Sequence, residues 1–494
     1  MTEPVIIAID QGTTNTKAIA VSRTGAVLGR GSAAVSITNP APGRFEQDAD
    51  EVWRSVLAAV AACRDEHRGP VTALALANQR ESVLAWDRDT GRPLGPVIGW
   101  QDTRTAGDCA RLLGDPAADP LVRRRTGLRI DPMFSAPKLA ALLRDAAVPT
   151  GRIAVGTVDS WLVWQLTGGR EHFGEAGNAS RTLLYDVAEL SWSAELLALF
   201  GIPESALPTV IRSDTRIATT ADLPGVDGRP PLQAVLADSH AALFGQGCAA
   251  AEPGTAGSAK ATYGTGSSIM MPVPGFDPEP SPVPTTLAWL TDLPTYAREG
   301  NIVYSGATLA WLTRLLGLAE VAELLELAAG APDSGGVTFV PAFGGLGAPH
   351  WRRDAEPTFA GLSAGTTRQQ LARAAVDAVA HQVCDVVEAI TREGTAIRQL
   401  RVDGGVTASD LVMQTQADLL GIGIRVAGLA ELSALGAARM AWAALGAGDH
   451  WPAADPNARE HRPAITAEQR ADRREAWRRA VRRAAVPSER RLSR

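Results

Sequence analysis

Lysine is almost missing from this chain: of 48 basic residues only Lys17, Lys138 and Lys260 are lysines. None of the three follows a glycine, so there is no Walker-type phosphate loop, and no Gly-x-Gly-x-x-Gly follows an early strand. A nucleotide, if bound, must be held by another device. The arginine, alanine and glycine surplus is read as genomic base composition. A basic surplus is also missing, since the formal net charge is -6, and this argues against a nucleic-acid binder. No apolar run approaches the roughly 18 residues of a membrane span. The opening MTEPVIIAID runs straight into a strand pattern, with no basic segment before a long apolar one, so no signal peptide is visible. The four cysteines, Cys63, Cys109, Cys248 and Cys384, lack metal-ligand spacing. They read as buried free thiols of a cytoplasmic protein.

What is present is the composition of an ordinary soluble globular enzyme, 45% hydrophobic and 21% charged over 494 residues. That length exceeds one ordinary core, and two domains are expected, residues 1–247 and 248–494, with a boundary near Gln246 to Ala251. Val5 to Ile9, Lys17 to Val21 and the stretch from Val27 read as three strands of a meander. Asp48 or Asp50 is placed to cap a helix with Val52, Trp53, Val56, Leu57 and Val60 on one face. A strand over Val71 to Ala77 ends at the polar cluster Asn78-Gln79-Arg80-Glu81. The pattern restarts near residue 260: Thr262 to Ser267 form a glycine-rich turn, and Thr367 and Gln370 a capping box before a long apolar stripe. Leu400 to Asp403 then reads as a strand stopping on Gly404 and Gly405. The basic run Ala467 to Arg483 reads as a solvated helix with Trp477 and Val481 inward, or less readily as a site for an acidic partner.

Three turns could carry chemistry. In Asp10-Gln11-Gly12-Thr13-Thr14-Asn15, backbone N–H groups and threonine hydroxyls can face phosphate oxygens, and the Asp10 carboxylate can hold a hydrated magnesium ion. Thr265, between two glycines, can serve the same purpose from the second half, and Gly404 and Gly405 leave room for a nucleotide. Asp238 follows the apolar run Leu232 to Ala237 and can act as a general base toward a hydroxyl. Its structural alternative is a helix N-cap. Arg80 and Glu81 can bind neighbouring hydroxyls and Trp100 can cover a C–H face; an ion pair and a core tryptophan are their structural alternatives.

Taken together, the segments IIAIDQGTTNTKAI, NQRES, GWQDTRT, DPMFSAPKL, GTVDSWLVWQLTGG, NASRTLLYD, LADSHAALFGQ, YGTGSS, VPAFGGLGAPHW and LRVDGGVTASDLVMQ resemble the FGGY carbohydrate kinases, and within them the glycerol kinase branch. The resemblance runs in family order from residue 5 to about 445. It implies two actin-like (ribonuclease H-like) α/β domains closing over a cleft, with transfer from Mg-ATP to a primary hydroxyl. By it, Asp238 matches the catalytic base; Thr13, Thr14, Asn15 and Lys17 the phosphate turn; and Thr265, Gly306 and Gly405 nucleotide contacts. Asn15 and Lys17 stand where that branch usually has Ser and Arg, and Ala310 and Ser409 where it commonly has Gln and Asn. The acceptor positions Arg80, Glu81 and Trp100 are kept, but Met133 replaces a tyrosine, Ser239 a glutamine and Ser268 a phenylalanine. Loss of these groups predicts that a tetritol, pentitol or ketose fits better than glycerol. The sugar-bisphosphate regulatory loop of some glycerol kinases is not evident around Gly225 to Pro231. Sugar kinases of this type are often dimers or tetramers, so the resemblance leaves a homo-oligomer open, with no interface legible. Authentic glycerol kinase remains the alternative within the family. A non-catalytic sugar sensor and an actin- or Hsp70-like ATPase are the alternatives outside it, the latter disfavoured by Arg80, Glu81 and Trp100 as a set.

Overall fold

In the computed structural model the described residues are 3–485, except 147, 220, 249–256, 393, 395, 448–450, 452–454 and 456. The N-terminal domain is built on a five-stranded sheet in the order Leu232–Ala237, Val71–Asn78, Val5–Gln11, Asn15–Ser22, Val27–Ala34. The first three run parallel and the last two complete the antiparallel meander. The parallel strands are continuous apolar runs because both faces are covered. On one side lie the helices Ala49–Glu66 and Val158–Leu166, packing Val52, Val56, Val60, Trp161 and Leu162 against Ile7, Ile9, Leu74 and Leu76. Asp48 caps the first of these helices, its side chain accepting from the Glu51 N–H. The opposite face of the sheet, Ile6, Ala8, Ala75 and Leu236, packs against the helix Leu432–Ala444, which belongs by sequence to the second half.

The C-terminal domain repeats the plan. Its seven-stranded sheet runs Thr285–Leu290, Pro294–Ile302, Ser267–Val273, Ser258–Tyr263, Gln399–Asp403, Gly423–Val426, Arg459–His461. Again an antiparallel meander leads into parallel strands. The 25-residue helix Arg368–Arg392 begins with the reciprocal Thr367–Gln370 capping box and buries its stripe against this sheet. The basic segment is the helix Ala467–Ala484, with Trp477 and Val481 buried. All four cysteines are free and buried. No described helix is long and apolar enough to cross a membrane. The boundary expected at Gln246 to Ala251 runs into residues 249–256, outside the described residues.

Strand register places the chemistry. Gln11, Asn78 and Ala237 stand level at the carboxyl ends of three adjacent parallel strands. The turns that follow them, Gly12–Thr14, Gln79–Glu81 and the start of helix Asp238–Gly245, therefore emerge along one sheet edge. In the second domain Thr262 pairs with Asp403, so Gly264–Gly266 and Gly404–Gly405 also share an edge. Carboxyl ends of parallel strands are where open α/β sheets bind ligands.

Candidate active site

The N-terminal turn is short and held from behind. Gly12 N–H donates to the Asn15 carbonyl at 3.0 Å. Gln47 Nε2 donates to the Thr13 carbonyl at 2.7 Å, while Gln79 Nε2 donates to both Gln11 Oε1 and Gln47 Oε1 at 3.0 Å. The Ser82 hydroxyl completes the network by donating to Gln79 Oε1 at 2.8 Å. Gln11, Gln47, Gln79 and Ser82 are buried, so this amide network fixes a loop on which Thr14 is exposed and Thr13, Asn15 and Lys17 are partly buried. Trp100 joins the turn through a 3.1 Å bond from its indole N–H to Thr13 Oγ1.

Asp10 sits beneath the turn, paired in register with Lys17. Its Oδ1 is buried without a partner. Burial first, and then the neighbouring Asp238, push its carboxyl up to about 7, against the pull of Lys17. A buried carboxylate oxygen with no partner, under the charge of a second carboxylate, fits a cation. Among the described residues no cluster of three or more His, Cys, Asp or Glu forms a cage. A cation here would keep most of its own water, which is the habit of magnesium.

Asp238 is the first residue of helix Asp238–Gly245, and Ala237 occupies the N-cap position. The helix-cap alternative therefore does not describe it. Its side chain is 32% exposed to the cleft, with Oδ1 accepting from the Ser239 N–H at 2.5 Å. The cleft walls strip water from the carboxyl and raise it, while Arg80 and that N–H act in the opposite direction. The result is a carboxylate more basic than usual, beside Asp10.

Arg80 lies between two acids. Its Nε is 3.5 Å from Asp238 and its Nη2 is 2.7 Å from Glu299, while Nη1 is buried with no partner. Glu299 comes from the second domain, on strand Pro294–Ile302. It also pairs with Arg181 Nη1 at 2.8 Å, and Arg181 Nε donates to Glu81 at 2.7 Å. Burial alone would raise the Glu299 carboxyl, but Arg181 and Arg80 outweigh it and hold the group far below the carboxylate range. Glu81 adopts φ of 62°, a left-handed conformation that a non-glycine residue tolerates at some cost. The Ser268 hydroxyl lies 3.5 Å from the same Glu299 oxygen. Lys138, fully buried, donates to the Met133 carbonyl at 2.6 Å and contacts the Gly99 carbonyl at 3.4 Å, tying the Met133 and Trp100 segments together. Burial pushes its ammonium down to about 8.

Residues of the second domain gather around one backbone crossing. Gly306 N–H donates to the Gly264 carbonyl, and the Ser305 and Ala307 N–H groups donate to the Thr265 carbonyl, all at 3.0 Å. Gly404 has φ of 100°, and a Cβ there would stand 2.3 Å from the Tyr263 carbonyl. Gly405 faces open space, and Thr265 is exposed. Ser409 does something else. Its hydroxyl caps helix Asp410–Leu420 by accepting from the Val412 N–H.

The structure thus brings Arg80, Asp238, Ser239 and Ser268 to one place, joins Trp100 to the Gly12–Thr14 turn, and groups Thr265, Gly306, Gly404 and Gly405. Sequence reasoning missed Glu299, Arg181 and Lys138. Lys138 carried a signal, as one of three lysines in an arginine-rich chain.

Residues 5–245 match the N-terminal domain of the FGGY family of carbohydrate kinases, and residues 259–445 match its C-terminal domain. The chain belongs to the FGGY family of carbohydrate kinases. It is 44% identical over 459 residues to an apulose kinase of Pectobacterium atrosepticum, covering 91% of each chain. It is also 44% identical over 499 residues to a glycerol kinase of Thermus brockianus, covering 97% of this chain and 98% of that one. A Plasmodium falciparum glycerol kinase solved with ADP superposes with a TM-score of 0.88 at 26% identity, over 98% of this chain and 99% of the other. This FGGY kinase is accordingly a phosphotransferase with an alcohol group as acceptor.

Proposed function

We propose that this kinase phosphorylates a polyol or sugar larger than glycerol, a tetritol, pentitol or ketose, using Mg-ATP. The observation that carries the reading is Ser268 beside the Arg80–Glu299 pair. A small hydroxyl there, in place of an aromatic wall, leaves width and a polar partner for an additional hydroxylated carbon. The likeness to an apulose kinase, whose name is that of a ketose kinase, agrees with it.

In this reading Arg80 and Glu81 bind acceptor hydroxyls and Trp100 covers the carbon chain, with Met133 and Ser239 at the pocket wall. The acceptor oxygen attacks the γ-phosphorus, the bond to ADP breaks, and the hydroxyl proton passes to Asp238. Thr13, Thr14, Asn15 and Lys17 hold the transferred phosphoryl group. Thr265, Gly306, Gly404 and Gly405 face the nucleotide, with Ser409 shaping the helix start beside them. Magnesium, when bound at Asp10, supplies neutralisation of phosphate charge. Domain closure excludes water, which limits loss of ATP by hydrolysis.

The test is a restored glycerol pocket. The triple variant Met133→Tyr, Ser239→Gln, Ser268→Phe is expected to shift the kcat/KM ratio toward glycerol by roughly tenfold or more. A ratio unchanged in the folded variant would show that these three positions do not set acceptor size and would contradict the reading.

A further inference from the structure

We infer that Glu299 is a positioning residue for the acceptor site, acting from the C-terminal domain on Arg80 of the N-terminal domain. The inference rests on the kinase reading above but not on the size of the acceptor. Glu299 is buried at 2% exposure on the strand Pro294–Ile302, yet its two strong partners, Arg80 and Arg181, come from the other domain. Its own domain supplies Asn301 Nδ2 at 3.2 Å and Ser268 at 3.5 Å, which fix one of its oxygens.

The geometry matters because Arg80 has two acids to choose from. Glu299 claims Nη2 at 2.7 Å, and this leaves only Nε, at 3.5 Å, for Asp238. Nη1 remains buried and unpartnered, a donor held ready for an acceptor hydroxyl. Without the Glu299 carboxylate the guanidinium fork would be free to turn onto Asp238 and bind it bidentately. That rotation would remove the donor from the acceptor. Glu81 also acts on Arg80 through its charge, but the ion pairs of Arg80 are made with Glu299 and Asp238. Glu299 thus ties a complete acceptor site to the approach of the two domains.

The experiment measures kcat, acceptor KM and ATP KM for full-length Glu299→Gln and Glu299→Asp. The Gln variant is expected to raise acceptor KM by roughly tenfold or more while ATP KM stays within about twofold. The Asp variant keeps the carboxylate and should recover part of the acceptor KM. Should the Gln variant not fold, the Asp variant carries the test, with the same acceptor-only loss at smaller size. Equal changes in both KM values, or an acceptor KM unchanged in the folded Gln variant, would overturn the inference. A wild-type preference for glycerol would sink the size reading alone, because this comparison works with whichever acceptor turns over.

Discussion

Asp238 and Asp10 stand at the carboxyl ends of two parallel strands with one strand between them, and the charge of Asp238 makes Asp10 harder to ionise. Asp238→Asn keeps the shape and removes the proton acceptor, so kcat should fall by on the order of 10²–10⁴. ADP binding and melting temperature should be preserved, and a coupled assay with calorimetry checks both. Asp10 gives a pH signature with a definite sign. Its carboxyl titrates near 7 in the folded chain against 3.8 ordinarily. Between those values the folded chain holds a proton that the unfolded chain releases, so this group's contribution to stability falls as pH rises from about 4 to 7. Asp10→Asn is therefore expected to raise the melting temperature of metal-free protein at pH 8 while losing most turnover. A thermal scan without magnesium reads it, and a lowered melting temperature would contradict the assignment. Both aspartates were legible in the sequence because each closes a continuous apolar strand. Glu299 and Arg181 were not: a lone charge on a strand or short helix reads as surface until tertiary structure shows its partner 100 or more positions away.

Elements explain why Asp238 is held so firmly. Its helix, Asp238–Gly245, crosses helix Leu432–Ala444 at two glycines. A Cβ on Gly436 would lie 1.8 Å from the Ala241 carbonyl, and one on Gly245 2.8 Å from the Leu432 carbonyl. Both obstacles are backbone and neither can swing aside. Gly436→Ala should cost about 1–3 kcal/mol of stability and reduce kcat by displacing Asp238, with acceptor and nucleotide KM values as the comparison. Gly107, in helix Ala106–Leu113, has nothing within 4 Å of its Cβ position and serves as the neutral control. Local elements were read well from sequence. The Asp48 cap, the Thr367–Gln370 box and the turn at Gly25 depend on near neighbours alone. The close crossing at Gly436 was invisible, because nothing local in Leu432–Ala444 says which domain's sheet it will cover.

At the scale of the molecule, one sheet plan occurs twice, and each copy carries its candidate residues at the carboxyl ends of its parallel strands. Sequence order disclosed that repetition through its two Gly/Thr turns, but the exchange of helix Leu432–Ala444 onto the first domain came only from the structure. The cross-domain pairs Arg80–Glu299 and Arg181–Glu299 link the halves at the acceptor side. Arg353–Asp131, with Arg129 lying 4.9 Å over the Trp351 ring, links them again beside the Met133 segment. These pairs tie the proposed acceptor residues to the contact between the halves, and substrate choice is the most exposed point of the reading. The decisive measurement is ADP release by the purified protein with Mg-ATP across glycerol, tetritols, pentitols and ketoses, with Asp238→Asn as control. The account expects a four- or five-carbon polyol or ketose to give the highest kcat/KM, and the Asn variant to release almost no ADP. Glycerol as the best acceptor would contradict the pocket reading, and acceptor-independent ADP release that survives in the Asn variant would contradict the kinase mechanism itself.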